Sequence, residues 1–198
     1  MKTVIKVLLA VIILVLSYAI YESIMKPVRF DREKSLRYEG VVQALKDIRD
    51  AERLFRQHNK RYTANWDSLV NYMKTGTIPV VKMIPDPKDT TFTRSISDTI
   101  GRVAILDSLF GKRANFDINN LSLIPGTNGQ KFELEAGKID KGGLKVDVFE
   151  ARAHNDVILD GLDSQLIRNL NKGLEDINRF PGLKVGSMLE VTTDGNWE

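Results

Sequence analysis

Apolar residues open the chain as a solid block and only later fall into periodic patterns. Val7 to Ile20 is fourteen residues without a charge (VLLAVIILVLSYAI), and Val4 to Tyr21 makes eighteen residues interrupted only by Lys6. At about 1.5 Å per helical residue this span reaches about 27 Å, just short of a ~30 Å hydrocarbon core. The long stem of Lys6 can carry its charge back to the headgroups. Tyr18 and Tyr21 stand where interfacial aromatic residues stand. Residues 1–25 are therefore expected to form a membrane anchor, with Leu8, Ile12 and Leu16 on one face of its helix. Pro27 follows directly and is expected to kink or end that helix.

From about Asp31 the pattern becomes amphipathic. Val41, Leu45, Ile48, Ala51 or Glu52, and Phe55 recur at the spacing of one helical face, opposite Lys46, Arg49, Asp50, Arg53 and Arg56. This predicts a stalk helix across residues 26–62, weakened locally by Gly40, whose apolar stripe must pack on something. The protein's own sheet is the cheapest candidate, and two or three turns of stripe fall short of coiled-coil heptads.

Residues 63–198 read as a globular α+β domain. Thr63 or Asn65 can cap a short helix with Trp66, Leu69, Val70 and Met73 on its apolar face, ended by Gly76. Ile78-Pro79-Val80-Val81 suits an edge strand, where a proline is tolerated. Pro85-Asp86-Pro87-Lys88-Asp89 reads as a turn, Phe92 to Ile100 alternates, and Val103 to Leu106 suits either strand or helix. Pro125 to Gly129 is turn chemistry. Phe132, Leu134 and Ala136, then Gly142-Gly143, then Leu144, Val146 and Val148 spell a hairpin. A helix is expected from about Gly161 to Asn178, stopped by Pro181-Gly182. Leu183, Val185, Met188, Leu189 and Val191 are expected to close the chain as one strand. The fold class is α+β: an N-terminal transmembrane helix continuing into an amphipathic helix, packed on a small antiparallel sheet.

A cleaved signal peptide shares this opening, and Ser17-Tyr18-Ala19 offers small residues at the positions a peptidase needs. Against cleavage, helical character continues from Ile20 to Met25. The expectation is an uncleaved, single-pass inner-membrane protein. For orientation, Lys26, Arg29, Arg32, Lys34 and Arg37 outnumber Lys2 and Lys6, which favours a cytoplasmic domain. The signal-like order of a tiny basic N-terminus and then an apolar run favours an exported one. A periplasmic domain is the reading adopted.

Composition narrows the function classes. With 42% hydrophobic and 28% charged residues the chain is globular rather than disordered. Having no cysteine, it has no disulfide, cysteine nucleophile or thiolate zinc site. The net charge of +3 conceals a gradient: Lys26 to Tyr62 holds eleven Lys/Arg against six Asp/Glu, whereas the part from Thr63 onward is net acidic. A basic segment beside a membrane is attracted to anionic headgroups. Its interleaved acids and lack of stacking aromatics exclude a nucleic-acid footprint.

Val42 to Ala51 followed by Tyr62-Thr63-Ala64-Asn65-Trp66-Asp67-Ser68-Leu69 resembles the passage after the first helix of type IV pilins and type II secretion pseudopilins. The terminal Gly195-Asn196-Trp197-Glu198 is similar to the ending of major pseudopilins. The resemblance implies a membrane helix running into an amphipathic helix, a variable loop and an antiparallel sheet, working as an assembly component. The family's processing site has a glycine before the apolar stretch and an acid five residues into it. Here no glycine precedes Val7, and Glu22 lies beyond the stretch. The family's clustered calcium-binding aspartates are reduced to Asp194. The implied content is architecture, not the filament mechanism.

Catalytic signatures are few. His58 and His154 are far apart in sequence, no phosphate-binding glycine loop occurs, and no serine sits in a nucleophile context. Asp156, Asp160 and Asp163 cluster at the start of the last helix, where capping explains them and a hydrolase centre is the competing reading. Asp86 and Asp89 read as turn formers, and Trp66 and Trp197 as packing residues. The expectation is no enzyme, no cofactor and no metal. The expected partners are a lipid bilayer and other envelope proteins or a second copy, met through the anchor face (Leu8, Ile12, Leu16) and the stalk face (Val41, Leu45, Ile48, Phe55). The alternative is a signal-cleaved periplasmic module that binds a ligand or glycan.

Overall fold

The structure, a computed structural model, describes residues 2–85, 95–113 and 116–198. Its spine is one helix, α1 (Lys2–Asn59), of 58 residues. Anchor and stalk are thus continuous, and Pro27 lies inside the helix rather than at its end. A proline removes one amide donor and leaves the carbonyl four residues earlier without its partner. That carbonyl belongs to Ser23, an exposed position where outside donors can serve it. α1 ends where Lys60 turns to a left-handed φ of 58°.

The domain wraps the C-terminal half of α1. Asn65 caps α2 (Trp66–Thr75), its side chain accepting from the Ser68 amide, and Gly76 closes it. β1 (Thr77–Pro85) and β2 (Ser95–Ala104) form a two-stranded antiparallel sheet in which Pro79 faces Arg102. With only two strands, both are edges, so the proline is tolerated. The ambiguous Val103 to Leu106 run straddles a boundary: Val103 and Ala104 end β2, and Ile105 opens α3 (Ile105–Phe110). Asp86 to Asp89 and Phe92 lie outside the described residues.

A second antiparallel sheet has the order β3–β4–β5, from β3 (Glu133–Lys141), β4 (Leu144–His154) and β5 (Gly182–Gly186). Gly142 and Gly143, at φ of 64° and 83°, make the two-residue turn between β3 and β4. Cross-strand partners place Ala136 beside Phe149, Leu134 beside Ala151, Ala151 in turn beside Val185, and Leu183 beside Ala153. Phe149, Ala151, Ala153, Leu183 and Val185 are buried on this face in the same core as the α1 stripe. The other face carries Arg152, bound to Glu133, Glu135 and Glu150, with Lys184 also on Glu150.

Two boundaries differ from expectation. α4 (Asn155–Ile158) is a single turn, and α5 spans only Ser164–Glu175. Gly161 and Asn178, the ends of the expected longer helix, are both at positive φ and lie outside α5. The closing strand stops at Gly186, leaving Leu189 88% exposed and Val191 also exposed. Gly186 has φ of 74°, and a Cβ there would collide with the Phe149 carbonyl oxygen. The backbone therefore turns out of the sheet at that point. Beyond it the chain returns along α1, where Arg49 pairs with Glu198 and Arg53 donates to Thr193.

Candidate functional site

The two faces singled out from sequence occupy different surroundings. Among the described residues, α1 is the one helix long and apolar enough to cross a membrane, and its apolar stretch is unburied. Leu8, Ile12 and Leu16 are exposed, and so are the neighbouring apolar residues on every side. The anchor trio is therefore not set apart from the rest of the span. Val41, Leu45 and Ile48 are fully buried and Phe55 nearly so, all in the chain's own core. Leu69, Met73, Ile105, Phe149 and Val185 share that core, so the stalk stripe is satisfied without a second molecule.

Burial of the stripe begins at Phe30. The preceding twenty-eight helical residues, at about 1.5 Å each, run on for about 40 Å and are uncharged from Val7 to Ile20. Beyond that stretch Glu22 pairs with Arg29 at 3.3 Å. At the start of α5, Asp163, Gln165 and Leu166 face residues 15–27 of α1 across a cleft of about 590 Å³.

The structure separates the aspartate trio. Asp163 caps α5, accepting from the Gln165 and Leu166 amides at 2.9 and 3.2 Å. Asp156 and Asp160 line a different hollow, of about 360 Å³, together with Thr127, Asn128 and Gln130. Asp156 accepts from Asn171, and the backbone carbonyl of Asp160 accepts from Arg37 at 2.8 Å. His58 lies by Tyr72 and His154 by Phe180, so the histidines serve different parts of the domain. Asp194 accepts from the Thr192 hydroxyl. No group of three or more His, Asp or Glu is placed to hold a metal ion among the described residues. Trp66 and Trp197 are half-buried against the core.

Several polar groups in the core have no local sequence signature. Asp47 accepts a two-pronged bond from Arg113 and a third from Gln43. The Tyr38 hydroxyl donates to Asn155, which donates to Asn171, which donates to Asp156, tying α1 to α4 and α5. Burial pushes the Tyr38 hydroxyl up to about 12. Glu52 is fully buried: one oxygen accepts the Thr63 amide at 3.2 Å, and Oε1 has no hydrogen-bond partner among the described residues. Burial pushes its carboxyl up to about 8, with the Thr63 bond acting in the opposite sense. The shared Ala51/Glu52 place on the stripe was the one sequence signal that pointed inward here.

No family model, curated protein or solved structure matches this chain.

Proposed function

We propose that this is a single-pass cell-envelope protein, pilin-like in layout, that acts through contacts as a component of a secretion, pilus or envelope assembly. The observation that carries the reading is the contrast along α1. Its apolar window is unburied, while the stripe from Val41 to Phe55 on its amphipathic half is buried in the domain's core. An exposed apolar surface of this size is stable in oil, not in water. In a bilayer, the same helix is free to meet other helices through dispersion contacts. The sequence of long helix, short helix and antiparallel sheet supports the pilin-like layout.

On this reading the protein sits in the inner membrane with its domain in the periplasm. The basic residues from Lys26 to Arg37 lie at the headgroup level, and the domain offers a polar surface outside. The test is site-specific photocrosslinking from Leu8, Ile12 and Leu16 in native membranes, with mass spectrometry of the mature N-terminus. An intact N-terminus with a discrete adduct to a second copy or a defined envelope protein supports the reading. A mature chain starting at Ile20 overturns it in favour of a released binding module.

A further inference from the structure

The cleft between α1 and the start of α5 lies where α1 changes character. Val15 and Ala19 are in the uncharged stretch, while Glu22 and Lys26 lie beyond it. Val15 and Lys26 are eleven residues apart, about 16 Å along a helix. The cleft therefore runs from hydrocarbon depth to headgroup depth if α1 spans a bilayer. Its far wall is Asp163 and Leu166, and its lining is mostly apolar.

The charges within it are mixed. Glu22 is already paired with Arg29 and Asp163 already caps α5, so each carboxylate is held in place. Lys26 forms no ion pair among the described residues. An occupant matching this wall needs an apolar tail, an anionic group near Lys26 and a cationic donor near Glu22 and Asp163. A second copy of this chain in register would bring Lys26 against Lys26 and Glu22 against Glu22, which is repulsive.

We propose that the cleft binds one bilayer phospholipid with a primary-amine headgroup. An acyl chain lies along Val15 and Ala19, the phosphate turns to Lys26, and the ammonium donates to Glu22 and Asp163. A quaternary ammonium has no N–H to donate, and a headgroup without an amine leaves both carboxylates facing the phosphate. The proposal rests on the membrane reading above and deepens it by naming a lipid class.

The experiment is native mass spectrometry of the full-length protein released from nanodiscs. These hold phosphatidylcholine mixed with phosphatidylethanolamine or phosphatidylglycerol, and carbonate extraction is run in parallel. The expected result is one retained phosphatidylethanolamine per chain, about tenfold preferred over the other two. Lys26→Gln and Ala19→Phe should each reduce retention by about tenfold, the first by removing the phosphate partner and the second by filling the deep end. Both variants should remain carbonate-resistant. Equal retention of the three lipids by an inserted protein overturns the proposal, as does a lipid-free dimer. A chain that carbonate strips out overturns the membrane reading together with it.

Discussion

Asp47 and Arg113 form a two-pronged ion pair, Nη1 to Oδ2 at 2.6 Å and Nη2 to Oδ1 at 2.8 Å, across 66 positions of sequence. It fastens the long helix to the segment after α3. Asp47 is buried, so its carboxylate depends on these donors and on Gln43. Asp47→Asn should destabilise the domain by about 1–3 kcal/mol in denaturant unfolding of the full chain in micelles. Arg113→Lys should not preserve the interaction fully, because an ammonium cannot reproduce the planar fork. An unchanged midpoint in Asp47→Asn would show the pair to be dispensable.

The two halves of α1 should respond differently to truncation. Leu45→Ala removes a fully buried side chain and should cost about 2–5 kcal/mol. Ile12→Ala lies in the exposed apolar half and should leave the unfolding midpoint of the domain where it was. Equal effects on that midpoint would mean that the halves are not energetically distinct.

Glu52 should give the domain a pH-dependent stability of uncommon sign for a carboxylate. Its folded-state pKa is raised from 4.5 to about 8, so the folded state holds the proton more tightly than the unfolded chain. Stability from this group is therefore fully present below about pH 4.5 and is lost as pH rises through about 8. Glu52→Gln should flatten that dependence and make the variant the more stable protein on the alkaline side, by a few kcal/mol at most. Parallel pH profiles for the two proteins would contradict this.

Gly186→Ala should cost about 1–3 kcal/mol, since alanine must adopt φ of 74° and its Cβ meets the Phe149 carbonyl. Thermal unfolding of the variant measures it. A midpoint at or above the parent's would mean that the strand end relaxes freely.

The legible parts of this fold are those whose cause is local. The stripe from Val41 to Phe55 announces a helix face because burial on one side imposes a 3.6-residue period. Gly142-Gly143 announces a turn because both residues need positive φ. Asn65 and Asp163 announce helix starts through their short acceptor side chains. Pro27 left a kink and a helix end both open, and α1 runs on through it, because a proline's local cost does not tell whether the helix on either side is long enough to carry through it. Gly186 ended β5 early through a close approach to β4, a neighbour 37 positions back that no local pattern contains.

The same limit applies to function. The apolar block is visible in sequence because its length alone matches a hydrocarbon core. The inward role of Glu52 was half visible, since it shares a stripe position with Ala51. The Asp47–Arg113 pair and the separation of Asp163 from Asp156 and Asp160 arise only when distant segments meet.

The membrane claim is tested most directly by extracting vesicles that carry the full-length chain with alkaline carbonate. Retention in the pellet is the predicted result, lost when Ile12→Arg and Leu16→Arg place two charges at mid-span. Full-length, unsubstituted protein in the supernatant would show that the exposed half of α1 is not held by a bilayer.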